Sequence, residues 1–261
     1  MKQLIIAADM EGATGIFEYN KELCYNGGDA WRAYGRDCIT SDVKAVCDAA
    51  NECGVDDIML YDMHYAGNPE FNIKIENLPK NVRVFDIPNR CFFWRRIRGQ
   101  AHQNPFGLIT VGQHSRYGEN NAYFPHSIQS PPIMRLAING LSIAEIGQTA
   151  FNFLGTPYIA NIGCAASHKE AKEICGSVSC ISVKDKSKNW EPACGQTYPI
   201  IKSGVIDAIK NISDKEKIKI EEPCLFELTL CDGYRYPYKP KISWKGSFDK
   251  NTARWKRRAR K

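Results

Sequence analysis

Residues 4–12 read Leu4-Ile5-Ile6-Ala7-Ala8-Asp9-Met10-Glu11-Gly12, and this stretch decides the fold class. An uninterrupted apolar run is typical of a strand buried on both faces of a parallel sheet, and here it stops at two carboxylates beside a glycine. Two further apolar runs end in the same way, residues 58–61 before Asp62-Met63-His64 and residues 108–112 before Gln113-His114. Ligands of open α/β sheets bind at the carboxyl ends of the strands. The sequence therefore predicts one crevice that receives acids and imidazoles from three strands.

The side chains at these strand ends are of the types that bind metals. Asp9 and Glu11 are two residues apart, so both would point to the same face of an extended strand end. His64 and His114 would add imidazole nitrogens, and Asp62 is either a further ligand or an acceptor that orients an imidazole. Carboxylates mixed with imidazoles suit zinc or a related divalent ion. The set predicts a metallohydrolase, although a helix N-terminus or a turn would also explain the acids.

The wider pattern predicts an α/β fold with a Rossmann-like, mainly parallel sheet and helices on both faces, plus a smaller α+β C-terminal region. We assign residues 1–185 to an α/β metal-binding catalytic domain and residues 186–261 to an α+β extension with a basic tail. Residues 65–105 belong either to the first domain or to the smaller subdomain. Strands are predicted at residues 4–8, 58–61, 82–87, 108–112, 133–138, 158–162, 178–183 and 225–230, and helices at residues 41–53, 142–154, 167–175 and 200–212.

Composition narrows the class of protein. The chain has 261 residues, of which 43% are hydrophobic and 25% are charged, as is usual for a globular domain. It has no apolar stretch of membrane-spanning length and no signal-peptide cleavage site, so we expect a cytoplasmic protein with no membrane association. Eleven cysteines without a CxxC pair favour reduced, mostly buried thiols over disulfides or a thiolate zinc site.

The net charge of +6 is concentrated in the last eight residues, 254–261, which carry six positive charges. Together with the aromatic-basic patch at residues 92–96, this tail could contact nucleic acid. However, the rest of the chain is close to neutral and offers no general basic face. We therefore expect a solvated, frayed terminus and no nucleic-acid partner.

Three other histidines and one glutamate do not directly follow a predicted strand. His126 follows His114 by twelve residues, whereas His102 lies in a polar stretch and has the pattern of an exposed bystander. His168 comes directly after a serine at the predicted start of a helix, where capping is a sufficient explanation. Residues 142–145 read Ser-Ile-Ala-Glu, which is a capping box, so Glu145 has a purely structural explanation from spacing alone.

The short motifs nevertheless occur in the order of a known family. They are Asp9-Met10-Glu11-Gly12-Ala13-Thr14-Gly15, Asp62-Met63-His64, Gly112-Gln113-His114, Pro125-His126-Ser127, and Asn139-Gly140 followed by Glu145. In these motifs the chain resembles the DppA-type zinc D-aminopeptidases, which bind two zinc ions. The resemblance covers about the first 160 residues well and is looser afterwards. Residues 163–166, Gly-Cys-Ala-Ala, depart from the acidic residues common in the family and leave substrate specificity open.

The resemblance implies an activity and the roles of individual residues. It implies two zinc ions, or other divalent transition-metal ions, with five ligands: Asp9, Glu11, His64, His114 and Glu145. Asp9 would bridge the ions, and His126 would be the catalytic residue beside them. The substrate would be a short peptide or an amino-acid amide, of D-amino-acid type, and the chain would form a homo-oligomer, with decamers known in the family.

Two alternative functions remain open at this stage. Another two-metal hydrolase, such as an amidase or a phosphoesterase, would use the same scaffold. A phosphate substrate would require an arginine cluster, and only residues 90–98 offer one. A nucleic-acid-binding protein that uses the basic tail is the second alternative, but it leaves the motif series unexplained.

Overall fold

The computed structural model describes residues 2–64, 70–86, 105–128, 133–221 and 225–230, and the backbone of residues 252–256. Its strands are β1 (Gln3–Ala8), β2 (Asp57–Asp62), β3 (Val82–Asp86), β4 (Gly107–Gln113), β5 (Ile133–Ile138), β6 (Leu141–Ile143), β7 (Tyr158–Cys164), β8 (Ser179–Lys184), β9 (Leu225–Leu230) and β10 (Thr252–Lys256). Its α-helices are α1 (Arg36–Glu52), α2 (Glu145–Asn152), α3 (His168–Ile174) and α4 (Tyr198–Lys210). Within these ranges no helix is both long enough and apolar enough to cross a membrane.

The main sheet has the strand order β3-β2-β1-β4-β7-β8, and all neighbouring strands are parallel. The chain starts at β1, steps outward to β2 and β3, and then crosses to β4 on the other side of β1. The point where the direction of winding reverses therefore lies between β1 and β4, which is where open parallel sheets bind their ligands. The predicted Rossmann-like α/β fold is confirmed.

Helices cover both faces of this sheet, as the uninterrupted apolar strands require. In β1, Leu4 and Ile6 pack in the core beneath α1 and α4, whereas Ile5 and Ala7 pack in the core beneath α2 and α3. This alternation follows from the two-residue period of a strand. Because both faces are buried, every residue of β1 after Gln3 is apolar, and polar residues begin only where the strand ends.

A second, antiparallel sheet has the order β10-β9-β5-β6. The turn at Asn139-Gly140 has positive φ at both residues and joins β5 to β6, as the turn signal predicts. The backbone of residues 252–256 pairs with β9, so the prediction of a frayed terminus is wrong for residues 254–256. The physical reason is that the backbone of this segment hydrogen-bonds to β9, which would otherwise have unpaired amides and carbonyls along one edge. Residues 257–261, the patch at residues 92–96 and His102 lie outside the described residues.

Two predicted helices begin three or more residues away from the predicted start. Helix α1 begins five residues before the predicted start, after a π-helical turn at Trp31–Gly35, because Cys38 and Ile39 extend its buried stripe. The helix predicted at residues 142–154 begins only at Glu145, because residues 141–143 pair with β5 as strand β6. Pairing with a distant strand overrides the local helix signal.

The eight described cysteines are free thiols and five of them are buried, as predicted.

The parts of the chain before and after residue 185 contact each other. Helix α4 packs on α1, and β9 pairs with β5, so residues after 185 contact residues before it in both layers. The domain boundary at residue 185 stays a prediction.

His168 is a partly buried cross-link, and the capping explanation for the start of α3 is wrong. The hydroxyl of Ser167, which was expected to cap α3, makes no cap hydrogen bond. The Asn161 side-chain amide donates to His168 Nδ1 (2.9 Å), and His168 Nε2 donates to Ser182 Oγ (3.0 Å). The histidine thereby ties α3 to β7 and β8, and burial lowers its pKa to about 4.

This environment predicts a pH dependence of stability. Between the ordinary pKa of 6.5 and the folded value of about 4, only the unfolded chain binds a proton at His168. Stability from this residue is therefore complete above pH 6.5 and is lost as the pH falls towards 4. In His168→Gln, the loss of unfolding free energy between pH 7.5 and 5 should be smaller than in the wild type by about 2 kcal/mol. Urea unfolding of the metal-free proteins measures this; equal losses in the two proteins would contradict it.

Candidate metal centre

The loop after β1 is fixed by a close approach to β4. Strand β1 ends at Ala8, Asp9 directly follows it and Glu11 lies in a turn, so the two acids do not share the extended strand end that the sequence predicts. The Asp9 amide donates to Val111 O (2.9 Å), and the Gly12 amide donates to Gly112 O (2.8 Å). Gly112 has φ +70°, and a Cβ there would lie 1.9 Å from Asp9 O, so only glycine fits. This approach sets Asp9 beside the end of β4, where His114 follows.

His64 follows β2 and faces both carboxylates of this loop. Its Nδ1 is 3.1 Å from Asp9 Oδ1 and 2.9 Å from Glu11 Oε2. Its Nε2 is 2.8 Å from Cys24 O, and because a carbonyl can only accept, Nε2 carries the hydrogen. In the neutral ring, Nδ1 then directs a lone pair at two carboxylates. Such an arrangement requires a cation, either a second proton or a metal ion.

Asp62 supports the segment that carries His64. Its carboxylate accepts hydrogen bonds from the Asn72 amide (2.6 Å) and from the Asn72 side chain (2.9 Å). Asn72 Nδ2 also donates to His64 O (2.7 Å), and Trp31 Nε1 donates to Asn72 Oδ1 (3.0 Å). Asp62 thus anchors the backbone of His64 through Asn72.

His114 follows β4 and repeats the arrangement of His64 on the other side of Asp9. Its Nδ1 donates to Ser115 O (2.9 Å), which leaves Nε2 as the nitrogen that faces the acids. That Nε2 is 3.1 Å from Glu145 Oε2 and 3.5 Å from Asp9 Oδ2. The two oxygens of Asp9 therefore face different imidazoles, Oδ1 towards His64 and Oδ2 towards His114.

Glu145 is the first residue of α2, and the capping-box prediction is wrong. Ala144 occupies the N-cap position and makes no side-chain cap, while Ser142 Oγ accepts from Arg135 Nε (2.9 Å). The helix start is capped from α3 instead, because Glu170 Oε1 accepts from the amides of Ala144 (2.7 Å) and Gly147 (2.8 Å). Glu145 is thereby free to direct its carboxylate at His114.

His126 stacks on His114 and is the more exposed of the two. The ring centroids are 3.9 Å apart, with an interplanar angle of 12°. The side chain of His126 is 17% exposed, whereas that of His114 is 1% exposed. Its Nδ1 is 3.3 Å from Phe124 O, and its Nε2 is 3.8 Å from Glu145 Oε1. The structure thus brings all six predicted site residues into one cluster.

Burial and mutual charge shift the pKa values of this cluster in opposite directions. Burial, and then the Glu11 carboxylate, raise the pKa of Asp9 to about 7. Burial would also raise the pKa of Glu11, but the imidazole of His64 outweighs it and holds this pKa well below its ordinary value. Burial and the neighbouring His114 lower the pKa of His126. The acids and imidazoles depend on one another for their charge states, as they would around a bound cation.

The donor set fits divalent metal ions. Ligand atoms lie within 4.8 Å of one another in two groups, which share His114: Asp9, Glu11 and His114, and His114, His126 and Glu145. Among the described residues, three of these buried atoms have no hydrogen-bond partner: Glu11 Oε2, His114 Nε2 and Glu145 Oε2. Buried polar atoms are normally paired, so three orphans at one point indicate a site for a ligand. The exact ligand set stays a prediction, because His126 belongs to one of the groups.

Comparison with known proteins identifies the family. The family model of peptidase M55, described as D-aminopeptidase, matches residues 1–235. The chain belongs to this D-aminopeptidase family. Its structure is similar to the solved structure described as "Zn-dependent D-aminopeptidase DppA from Bacillus subtilis, a self-compartmentalizing protease", with a TM-score of 0.78. The two share 16% sequence identity, over 98% of this chain and 92% of that chain, so this likeness shows the fold alone. A search of curated proteins found no match.

Sequence reasoning missed Glu170, which positions α2 in this member of the M55 family. Its carboxylate is buried beneath the start of α2, and burial raises its pKa to about 7. A glutamate in the first turn of a helix is ordinary, so the sequence carries no signal of this contact. The contact is visible only once α3 is packed beside α2.

Removal of this cap should destabilise the fold. Glu170→Ala leaves two buried amides without an acceptor and should lower the unfolding free energy by about 1–3 kcal/mol. Glu170→Gln retains an acceptor oxygen and should recover most of the loss. Glu173→Ala is the matched control on the same helix, because it breaks only a partly exposed ion pair with Arg116 and should cost less than about 1 kcal/mol. Urea unfolding of the metal-free proteins measures these differences in unfolding free energy. An equal loss for both alanine variants would refute the capping role.

Proposed function

We propose that this chain is a two-metal aminopeptidase, with zinc as the native metal, that hydrolyses the N-terminal amide bond of short peptides or amino-acid amides of D-amino-acid type. One observation carries the proposal. Asp9 lies between two imidazoles, and each of its oxygens faces the ring nitrogen that is not hydrogen-bonded to a carbonyl. A carboxylate in this position can bridge two cations.

The chain's own residues divide into two ligand groups around this bridge. Glu11 and His64 would hold one ion together with Asp9, and Glu145 and His114 would hold the other together with Asp9. When bound, the ions would polarise the scissile carbonyl and make a water molecule more acidic. Backbone carbonyls fix the ring orientation of both histidines, which is the usual outer support of histidine ligands.

His126 is suited to proton transfer beside this centre. Its Nδ1 is turned towards Phe124 O, which leaves Nε2 to accept a proton. Its lowered pKa keeps the ring neutral near pH 7, and its partial exposure lets it reach a substrate. His126 Nε2 would take a proton from the attacking water and deliver it to the leaving amine.

The comparisons support the chemical class of the substrate and the metal. Membership of the D-aminopeptidase family favours a peptidase over the phosphoesterase and nucleic-acid-binding alternatives. The structure of similar fold is described as Zn-dependent and self-compartmentalizing, which favours zinc and a homo-oligomer here. Substrates should therefore first be compared with and without a free α-amine, rather than with and without a phosphate.

Metal content tests the centre directly. The wild type, purified without chelators, should contain close to two zinc or similar ions per chain by mass spectrometry. His64→Ala removes the nitrogen that faces Asp9 and Glu11, so the content should fall to about one ion or less. His168→Gln is the matched control, because it removes a partly buried histidine outside the cluster and should leave the metal content unchanged. A wild type that stays metal-free even after reconstitution with zinc would rule out the proposed centre.

His126 should separate catalysis from metal binding. In His126→Ala, kcat on a D-amino-acid amide should fall by about 10²–10⁴-fold while metal content stays at the wild-type level. The wild type should not hydrolyse the same substrate after N-acetylation of its α-amine. It should not hydrolyse a phosphate ester either. If metal is lost together with activity, His126 is a ligand; if activity persists, another group transfers the proton.

A further inference from the structure

Lys184 is a fully buried cation at the end of β8, and nothing in its sequence setting distinguishes it. Its ammonium donates to three backbone carbonyls of the loop after β1: Glu11 O (2.6 Å), Ala13 O (3.0 Å) and Ile16 O. Among the described residues, no carboxylate forms an ion pair with it, and burial lowers its pKa to about 8. Desolvation of a buried ammonium is unfavourable, so packing alone would be served better by an apolar side chain of similar length.

The same ammonium also contacts the segment that precedes His126. It lies 5.4 Å from the ring centroids of Phe17 and Tyr123 and 5.6 Å from that of Phe124. Tyr123 and Phe124 come immediately before Pro125-His126, and Phe124 O is the partner of His126 Nδ1. One charge thus joins the loop that carries Glu11 to the segment that carries His126.

The other side of the loop is held by an opposite charge. The buried carboxylate of Asp42 accepts from the Thr14 amide (2.9 Å) and from the Thr14 hydroxyl (2.8 Å). Lys184 therefore binds carbonyls of the loop, and Asp42 binds an amide in between. Without the ammonium, three carbonyls of the loop would lose a charged donor, and the turn that directs Glu11 Oε2 at His64 Nδ1 (2.9 Å) would relax.

We propose that Lys184 is a positioning residue, which holds the Glu11 loop and the His126 segment in register and so sets the affinity of the site for its metal ions. This inference rests on the proposed function. Lys184 contacts backbone and aromatic rings of the site, and it acts through Glu11 and His126. Outer supports of this kind typically change metal affinity by about 10–100-fold when removed.

The test compares Lys184→Met and Lys184→Gln with the control Lys215→Met. Lys215 also donates to a backbone carbonyl, that of Ser177 (2.9 Å), but it contacts no residue of the metal cluster. The metal-free proteins are titrated with Zn²⁺ against a competing chelator and with Co²⁺, whose visible absorption reports ligand geometry. Thermal unfolding of the metal-free proteins measures the structural cost separately.

Zn²⁺ should bind about 10–100-fold more weakly to Lys184→Met, and the Co²⁺ spectrum should change, with a smaller effect in Lys184→Gln. Lys215→Met should keep wild-type affinity and spectrum even where its melting temperature falls. A folded Lys184→Met with wild-type affinity and spectrum overturns the inference and leaves the proposed function intact. If Lys184→Met does not fold, Lys184→Gln is judged by the same criteria. If neither folds, Lys184 supports the whole fold and the local role is overturned. A wild type that binds neither ion overturns the proposed function and this inference with it.

Discussion

Three carboxylates, one buried and two largely buried, lie at one end of a parallel sheet and impose the constraint on which the rest of the site depends. Asp9, Glu11 and Glu145 repel one another, and burial alone would keep them protonated. The fold partly compensates with the imidazoles of His64 and His114, each directing one nitrogen at the acids and the other at a backbone carbonyl. Imidazoles held in this way present lone pairs, so the arrangement is balanced only when cations lie between the rings and the acids.

The acids are positioned mainly through the backbones of the segments that carry them. The amides of Asp9 and Gly12 bind carbonyls at the end of β4, and this approach is close enough that Gly112 admits no side chain. Glu170 holds the start of α2, and so the backbone of Glu145, from below. Such preorganisation would keep the proposed ligands close together before any ion arrives.

The sheet and most of the cluster could be predicted because both have strong local signals. A parallel strand buried on both faces must be apolar along its length, so the first polar residues, such as Asp9 and His64, mark its carboxyl end. The failures occurred where distant pairing competes with a local pattern. Residues 142–145 satisfy every local rule for a capping box, yet residues 141–143 pair with β5, and the cap comes from Glu170 instead. The basic tail is a second case of distant pairing, because the backbone of its first residues pairs with β9.

Ligands and their supports differ in how far the sequence can reveal them, and the reason is chemical. Histidine and carboxylate side chains at strand ends carry their function in their residue type, so spacing and order suffice to collect them. Lys184 and Glu170 act on backbone amides and carbonyls, which every residue possesses, so their partners leave no mark on the sequence. Lys184 is 173 residues from Glu11 along the chain, and only the folded sheet brings them together, because β1 and β8 end at the same edge of it with β4 and β7 between them. The geometry of the centre therefore depends on residues whose types, taken alone, suggest an ordinary strand end and an ordinary helix.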